Sequence, residues 1–230
     1  MTKKQAESIV GGLTKTTKMP CYSYSIPAKH CIAGSRLRKV DGSVCSHCYA
    51  YKRGNYSWPT VMRAQDRRWA ILTGVVNAGK DSLAWQDFSD AMTRLLDGEE
   101  CFRWHDSGDL MSLQHLELIC EICLRTPTVR HRLPTKQFGF VKRYLNLYGR
   151  FPDNLIVQLS SPLIDKPINI DGTSIKKKAP NIQIATAFSN GYAAHCNDAF
   201  VCPATTTRRT CDDCRACFVP GVNSIGYILH

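Results

Sequence analysis

Apolar residues recur along the chain with two different spacings, which predict alternating helices and strands. The helical spacing, with apolar residues three or four positions apart, covers four segments: about 59–74, 81–96, 112–125 and 138–148. Short apolar runs predict four strands: 101–104, 128–133, 154–159 and 181–188. The run at 154–159 is apolar enough to be buried on both faces, as in a parallel sheet.

The order of these elements predicts the fold class. Strands that alternate with helices pair in parallel and connect by right-handed crossovers. We therefore expect an α/β protein with a partial, open βα barrel-like parallel sheet, because four strands are too few for a complete eight-stranded barrel. We divide the chain into a flexible basic arm at 1–19, an α/β domain at 20–195 that includes a cysteine-rich loop at 20–50, and a cysteine-rich C-terminal segment at 196–230.

The N-terminal cysteine-rich loop is interpreted as a metal-binding loop. Its glycines and prolines disfavour helix and strand, so its thiols are expected to organise it. The turn from Cys45 to Cys48 has the C-x2-C spacing that points two sulfurs the same way, and Cys21 and Cys31 can complete the set. The loop therefore offers up to four sulfur ligands.

The C-terminal cysteines give a second metal signal. Cys211, Cys214 and Cys217 follow the C-x2-C-x2-C spacing of consecutive ferredoxin ligands, and Cys202 offers a fourth ligand beside a proline. Cys196 is left spare. Zinc more often uses two separated C-x2-C pairs, so we favour an iron–sulfur cluster, with structural zinc as the alternative metal.

A concentrated polar turn follows the first predicted strand. The carboxyl ends of parallel strands open onto a common crevice, which is where α/β proteins usually carry out chemistry. We therefore take Asp106 and Asp109 as candidate catalytic residues, and His105 and Ser107 as candidate cofactor contacts. The alternative is helix capping together with a buried hydrogen-bond network.

Three further cysteines lie in predicted helix or strand positions. Cys101, Cys120 and Cys123 have apolar neighbours, and a free cysteine packs as a small hydrophobic residue. We expect these three to belong to the core and not to form a third metal site.

The composition favours metal or redox chemistry. The sequence has twelve cysteines, no secretory signal and no run of about 18 apolar residues that could span a membrane. We therefore expect a cytoplasmic protein without membrane contact, in a compartment that keeps ordinary thiols reduced. A secreted protein held by disulfides is the alternative.

The net charge bears on partners. The formal charge is +11, and two [4Fe–4S]2+ centres, each held by four thiolates, would lower it to about +7. A positive balance suits a polyanionic partner, either nucleic acid or a phosphate-bearing cofactor. A host protein is the other partner considered, and redox-active clusters would need an electron donor.

Four motifs resemble the gene-product-88-like proteins, a bacteriophage family. They are an N-terminal C-x9-C-x13-C-x2-C-Y-A, a central R-W-H-D-S-G-D, an L-P-T-K turn and a terminal C-P followed by C-x2-C-x2-C. The resemblance spans nearly the whole chain and brings little settled function. For a phage-encoded chain, the expected compartment is the cytoplasm of the host cell.

More distantly, the chain is similar to the radical S-adenosylmethionine superfamily, in which a cluster loop precedes a βα barrel. That resemblance implies that Cys31, Cys45 and Cys48 hold a [4Fe–4S] cluster whose fourth iron binds S-adenosylmethionine. It also implies that Tyr49 lies beside the cofactor and that Asp109 pairs with the methionyl amine. The C-x3-C-x2-C spacing of the superfamily is absent, because thirteen residues replace three between the first two cysteines.

Two functions therefore remain open. In the favoured one, Cys21 closes the first cluster, and two structural or redox [4Fe–4S] clusters lie on a basic scaffold that binds nucleic acid or a host target. In the alternative, the first cluster keeps an open iron and the chain is a radical S-adenosylmethionine enzyme with an auxiliary C-terminal cluster. A structural zinc protein is the second alternative.

Overall fold

The computed structural model describes residues 1–52, 54–171, 173–189, 199–206 and 210–229. Within these residues, eight strands form a single sheet. The strands are β1 Thr14–Lys15, β2 Tyr22–Tyr24, β3 Cys101–Trp104, β4 Arg130–Thr135, β5 Leu155–Ser160, β6 Ile182–Phe188, β7 Phe200–Val201 and β8 Ser224–Ile228. The α-helices of the same residues are α1 Lys3–Val10, α2 Ile32–Leu37, α3 Tyr49–Lys52, α4 Pro59–Ala78, α5 Leu83–Leu96, α6 Leu113–Arg125, α7 Phe138–Tyr148 and α8 Ser174–Lys178.

The sheet is open and mostly parallel. Its spatial order is β1-β2-β3-β4-β5-β6-β8-β7, and only the β1–β2 pair is antiparallel among the described strands. From β2 to β6, each strand pairs with the next one along the chain. Right-handed crossovers that all advance in one direction place their helices on one face of the sheet. The expected α/β class with parallel pairing is confirmed.

The two faces of the sheet differ in chemistry. Because side chains alternate along a strand, Phe102 and Trp104 of β3 point to one face and Arg103 points to the other. The first face belongs to the main apolar core, which contains Phe102, Trp104, Leu133 and the core residues of α5 and α6. The opposite face is polar, and the C-terminal cysteine-rich segment covers part of it.

Hydrogen bonds connect that C-terminal segment to the polar face. Gln183 Nε2 donates to the main-chain oxygens of Ala216 and Val219, at 2.8 and 3.2 Å. Gln183 Oε1 accepts from Gln158 Nε2 at 3.2 Å, and Gln158 Oε1 accepts from Arg132 at 2.6 Å. A row of buried polar side chains therefore runs across three neighbouring strands beneath the cysteines.

The four long helices lie close to where the sequence predicts them. Ser112 caps α6, since its Oγ accepts from His115 N at 3.1 Å, as expected. Ser82 caps α5 by accepting from Trp85 N at 3.2 Å. Helix α4 continues four residues beyond its predicted end and stops at Gly79, whose φ of 87° lies in the left-handed region. None of the helices described in the chain has the length and apolar content needed to span a bilayer.

The segment expected to be a flexible arm contains an ordered helix, so that expectation is corrected. Thr2 and Gln5 form a capping box at the start of α1, and Ala6 and Val10 are fully buried. Tyr24 Oη donates to Val10 O at 2.8 Å. The helix is held by tertiary contacts, which the basic composition of the segment does not reveal.

Four strands that the sequence does not predict also join the sheet. They are β1, β2, β7 and β8, of which three have only two or three residues. Such short strands carry no alternating pattern, and they exist because longer neighbours offer free backbone groups. The sheet is consequently twice as wide as the sequence pattern indicates.

Candidate metal centres

Asp109, the last residue of the polar turn after β3, is buried, and its hydrogen bonds connect this turn to the end of β4. Its carboxylate accepts hydrogen bonds from Thr135 Oγ1 at 2.6 Å, Lys136 N at 2.9 Å and Leu110 N at 2.7 Å. Burial raises the pKa of Asp109, and these three donors act against the rise. The buried hydrogen-bond network considered for this turn is thus confirmed at Asp109.

Asp106 differs because one of its carboxylate oxygens is left open. Tyr56 Oη donates to Asp106 Oδ2 at 3.0 Å, and Tyr49 Oη donates to the main-chain oxygen of Asp106 at 2.6 Å. Oδ1 is buried without a partner in the described part of the chain. Two tyrosines thus fix the residue in place and leave one acceptor available.

His105 is turned towards the helices. Its ring contacts that of His115 of α6 edge-on, with 5.1 Å between centroids, and both ring nitrogens lack a hydrogen-bond partner among the described residues. Burial holds the pKa of His105 well below its ordinary value, so the ring is neutral. Ser107 is buried, and its main-chain oxygen accepts from Ile26 N at 3.2 Å.

Three of the four N-terminal cysteines come together beyond the carboxyl ends of the strands. Cys31 precedes α2, and its Sγ accepts from Gly34 N at 3.2 Å. Burial, together with the nearby charges of Asp109, Cys45 and Cys48, raises the pKa of Cys31 to about 12. Cys45 and Cys48 also line a cavity, together with Arg38, Ser46 and Tyr51.

Cys21 lies apart from these three cysteines. It immediately precedes β2, whose Tyr22 is paired with Phe102, so Cys21 stands beside Cys101 at the beginning of neighbouring strands. The two thiols are buried and hydrogen-bonded to each other. A strand advances about 3.3 Å per residue, so Cys21 lies roughly 10 Å below the strand end at Tyr24. The structure does not bring Cys21 to the other N-terminal cysteines.

All four predicted C-terminal ligands line one cavity. The walls are formed by Cys202, Cys211, Cys214 and Cys217, with Met19, Arg132, Phe200, Pro203, Ala204, Phe218 and Ile225. Cys217 Sγ lies 3.4 Å from Tyr227 Oη. Cys196, the spare cysteine, lies outside the described residues. The selection of four out of five C-terminal cysteines stays a prediction, but the four are neighbours in space.

Arg132 provides a buried positive charge at this cavity. Its side chain donates to Gln158 Oε1 and Tyr227 Oη, both at 2.6 Å, and its Nε has no partner among the described atoms. Among the described residues, no carboxylate forms an ion pair with Arg132. Burial raises the pKa of Cys202 and of Cys211, while Arg132 lowers both. The cation therefore favours the thiolate form of its neighbours.

The remaining cysteines behave as core residues. Cys120 and Cys123 are buried in the main apolar cluster, which confirms the expected packing role. Cys101 is buried in a small second cluster with Cys21 and Phe218. In the described ranges, no three Cys, His, Asp or Glu side chains converge on one point as the ligands of a single metal ion would.

Arg103 and Arg132 were not singled out by the sequence reasoning. Both sit in short, largely buried strands, and their register pairs them on the same face of the sheet. A charged residue in the middle of a buried strand is rare unless it has a partner or a function. That rarity is the signal that could have identified them.

Together, the fold and these sites define a class: an α/β protein with a single open, mostly parallel sheet and two separate groups of cysteines. The family model described as Gene product 88 matches residues 1–220. The chain therefore belongs to the Gene product 88 family, as the four motifs indicated. No curated protein and no solved structure matches it, so the likeness to radical S-adenosylmethionine proteins has no support from these comparisons.

Proposed function

We propose that this chain is an iron–sulfur protein and that Cys202, Cys211, Cys214 and Cys217 hold a [4Fe–4S] cluster. The observation that carries the proposal is that these four cysteines line a single cavity. Three of them have the C-x2-C-x2-C spacing in which each cysteine reaches a different corner of a cubane. A bound cluster supplies either one-electron redox chemistry or a rigid cross-link within the segment.

The residues around the cavity fit an anionic group. Arg132 is 7% exposed and has an unpartnered Nε, so it lacks the counter-charge that a buried guanidinium requires. A [4Fe–4S]2+ cluster with four thiolates carries about −2 and would supply that charge. Tyr227 Oη lies near Cys217 Sγ and is suited to donate a hydrogen bond to a thiolate.

We extend the proposal to a second [4Fe–4S] cluster at Cys31, Cys45 and Cys48. These three thiols are neighbours at the carboxyl ends of the strands, and Gly34 N already donates to the sulfur of Cys31. Backbone donors to ligand sulfurs are among the features that tune iron–sulfur sites. Arg38 lines the cavity of Cys45 and Cys48, and the charges of Lys136 and Arg38 both act to lower the pKa of Cys45.

The position of Cys21 favours a second candidate function, a radical S-adenosylmethionine enzyme. Cys21 packs against Cys101 and so leaves three cysteines at the first site, which matches a cluster with one open iron. S-adenosylmethionine bound there would supply radical chemistry. Asp106 offers an open carboxylate oxygen for an amino group, and Tyr49 and Tyr56 hold it in position.

Metal analysis of anaerobically purified protein tests the main proposal. We expect a brown protein with about eight irons and eight sulfides per chain. Cys214→Ala should retain about four irons, and the matched control Cys120→Ala, in the core, should retain all of them. A colourless protein with stoichiometric zinc would reject the iron–sulfur function in favour of structural zinc.

A spectroscopic experiment separates the two functions. We expect S-adenosylmethionine to change the EPR signal of the reduced cluster at Cys31, Cys45 and Cys48 if one iron is open. The change should persist in Cys214→Ala, which keeps the first site, and disappear in Cys45→Ala. An unchanged signal in fully loaded protein would leave the iron–sulfur proposal standing and remove the enzyme.

A further inference from the structure

The segment from residue 28 to residue 68, which we name the cap, concentrates the positive charge of the protein. It contains nine lysine and arginine residues and two aspartates, giving +7 of the chain's total of +11. Several of these cations serve the fold: Lys29 pairs with Asp66, and Arg67 and Arg68 donate to main-chain oxygens of residues 11 and 12.

Among the cations of the cap whose side chains are described, four others are accessible. Arg36, Lys39 and Arg63 are exposed and Arg38 is half-buried. None of the four forms an ion pair with a carboxylate in the described part of the chain. Unneutralised, accessible cations within one segment are the electrostatic basis for binding a polyanion.

The cap also carries exposed rings. Of the twelve large apolar side chains that are exposed among the described residues, six lie between residues 32 and 62. Three of these six are aromatic: Tyr49, Tyr51 and Trp58 are 56%, 45% and 57% exposed. Exposed aromatic rings between cations are the features on which the bases of single-stranded nucleic acid stack.

Tyr51 has the clearest geometry for stacking. The guanidinium of Arg38 lies over one face of its ring, 3.6 Å from the centroid, yet the residue remains 45% exposed. Part of the side chain therefore stays accessible to a base. Tyr51 and Arg38 also line the cavity that contains Cys45 and Cys48, so a base on this ring would lie at the edge of the first cysteine group.

We propose that the cap binds single-stranded nucleic acid, with a base stacked on Tyr51 and the phosphates held by Arg36, Arg38, Lys39 and Arg63. A duplex fits less well because its bases turn their faces towards one another and only its phosphates remain accessible. The proposal goes beyond the iron–sulfur function and does not depend on it, since the contacts come from side chains that are not sulfur ligands.

Fluorescence anisotropy with a labelled oligothymidylate of about 20 nucleotides tests the proposal on the anaerobically purified protein. We expect Tyr51→Ala to raise the dissociation constant about 5- to 100-fold, which corresponds to losing one stacked base. Tyr148→Ala is the matched control, because Tyr148 is 48% exposed on α7, away from the cap. Its dissociation constant should equal that of the unmodified protein.

The salt dependence provides a second readout. Arg38→Gln should reduce the slope of log affinity against log salt by about one, whereas Arg143→Gln, on the exposed side of α7, should leave it unchanged. A duplex of the same length should bind more weakly than the single strand. Iron content and thermal melting are measured for each variant, so loss of a cluster or of folding is distinguished from loss of binding.

Three results would overturn the proposal. They are no binding at low salt, equal binding of single strand and duplex, and no effect of Tyr51→Ala. Tight binding to anionic lipid vesicles that competes with the oligonucleotide would assign the cap to a membrane surface instead. If iron is absent but Tyr51-dependent binding persists, the iron–sulfur function fails and the nucleic-acid surface stands.

Discussion

Cys21 and Cys101 lie side by side at the beginning of two neighbouring parallel strands, β2 and β3, with their thiols buried and in contact. This pairing separates Cys21 from Cys31, with which it shares the N-terminal loop of the sequence. The cysteine that favoured a closed first cluster is thereby placed at the opposite end of the strands from the other three.

We predict that Cys21→Ala leaves the iron content of the protein unchanged. The substitution removes a thiol that packs against Cys101 and does not face the cavity of Cys45 and Cys48. Cys31→Ala, by contrast, should lower the content by about four irons. Iron and sulfide analysis of both variants decides the question, and loss of about half the iron in Cys21→Ala would restore the four-ligand cluster.

We predict that Arg132→Gln lowers the reduction potential of the C-terminal cluster. A cation near the cluster favours the added electron, and its removal at an effective dielectric constant of about 20 corresponds to a shift on the order of 100 mV. Redox titration followed by EPR measures the shift.

Arg130→Gln is the matched control for that variant. Arg130 lies two residues earlier on the same strand but is only half-buried and is already paired with Glu100. In this variant, the reduction potential of the C-terminal cluster should stay close to that in the unmodified protein. Equal shifts in the two variants would show that Arg132 influences the potential of the cluster no more than Arg130 does.

We predict that Gly108→Ala destabilises the fold more than Gly98→Ala does. Both glycines have positive φ, of 85° and 84°, so each alanine variant suffers strain of about 1–2 kcal/mol in the left-handed region. At residue 108, a Cβ would also lie 2.3 Å from Ile26 Cγ1 and 2.9 Å from Ile26 O. At residue 98 it would meet nothing within 4 Å.

The difference between the two variants isolates the steric contact. We expect Gly108→Ala to lower the free energy of unfolding by about a further 1–3 kcal/mol. Denaturant unfolding of both proteins measures the difference. Equal losses of unfolding free energy would mean that the backbone around Ile26 shifts to accommodate the added Cβ at no energetic cost. The turn after β3 would then be less tightly packed than its contacts indicate.

We predict that the protein loses stability as the pH falls below about 6.5. Burial lowers the pKa of His115 to about 3 and that of His131 to about 3, compared with the ordinary value of 6.5. Above pH 6.5 both rings are neutral in the folded and unfolded chains. Between 6.5 and 3 the unfolded chain binds protons that the folded chain excludes, which favours unfolding.

The expected slope is about 1.4 kcal/mol per pH unit for each buried histidine. Denaturant unfolding at a series of pH values measures it, and His131→Asn should reduce the slope by that amount whatever its effect on stability at neutral pH. A slope unchanged by the substitution would mean that His131 is protonated inside the core, where only Nε2 has a partner, Thr126 Oγ1 at 2.9 Å, among the described residues.

The sequence by itself determined the alternating order of helices and strands and the grouping of the C-terminal cysteines. Long amphipathic segments such as α5 and α6 contain enough apolar residues at helical spacing to predict a helix. The cysteines of a C-x2-C-x2-C run stay close in space because so few residues separate them. The parallel sheet followed from the order of these elements, because crossover connections allow few alternatives.

Only the tertiary structure decided where Cys21 lies, that α1 packs on the core, and that Arg132 faces the cysteine cavity. Cys21 is separated from Cys31 by nine residues, a length of chain that allows many distances, and its position is set by the pairing of β2 with β3. Arg132 reaches the cavity because β4 is central in the sheet and the C-terminal segment folds back over its polar face. Contacts between residues far apart in sequence depend on the whole arrangement of strands, which local pattern does not encode.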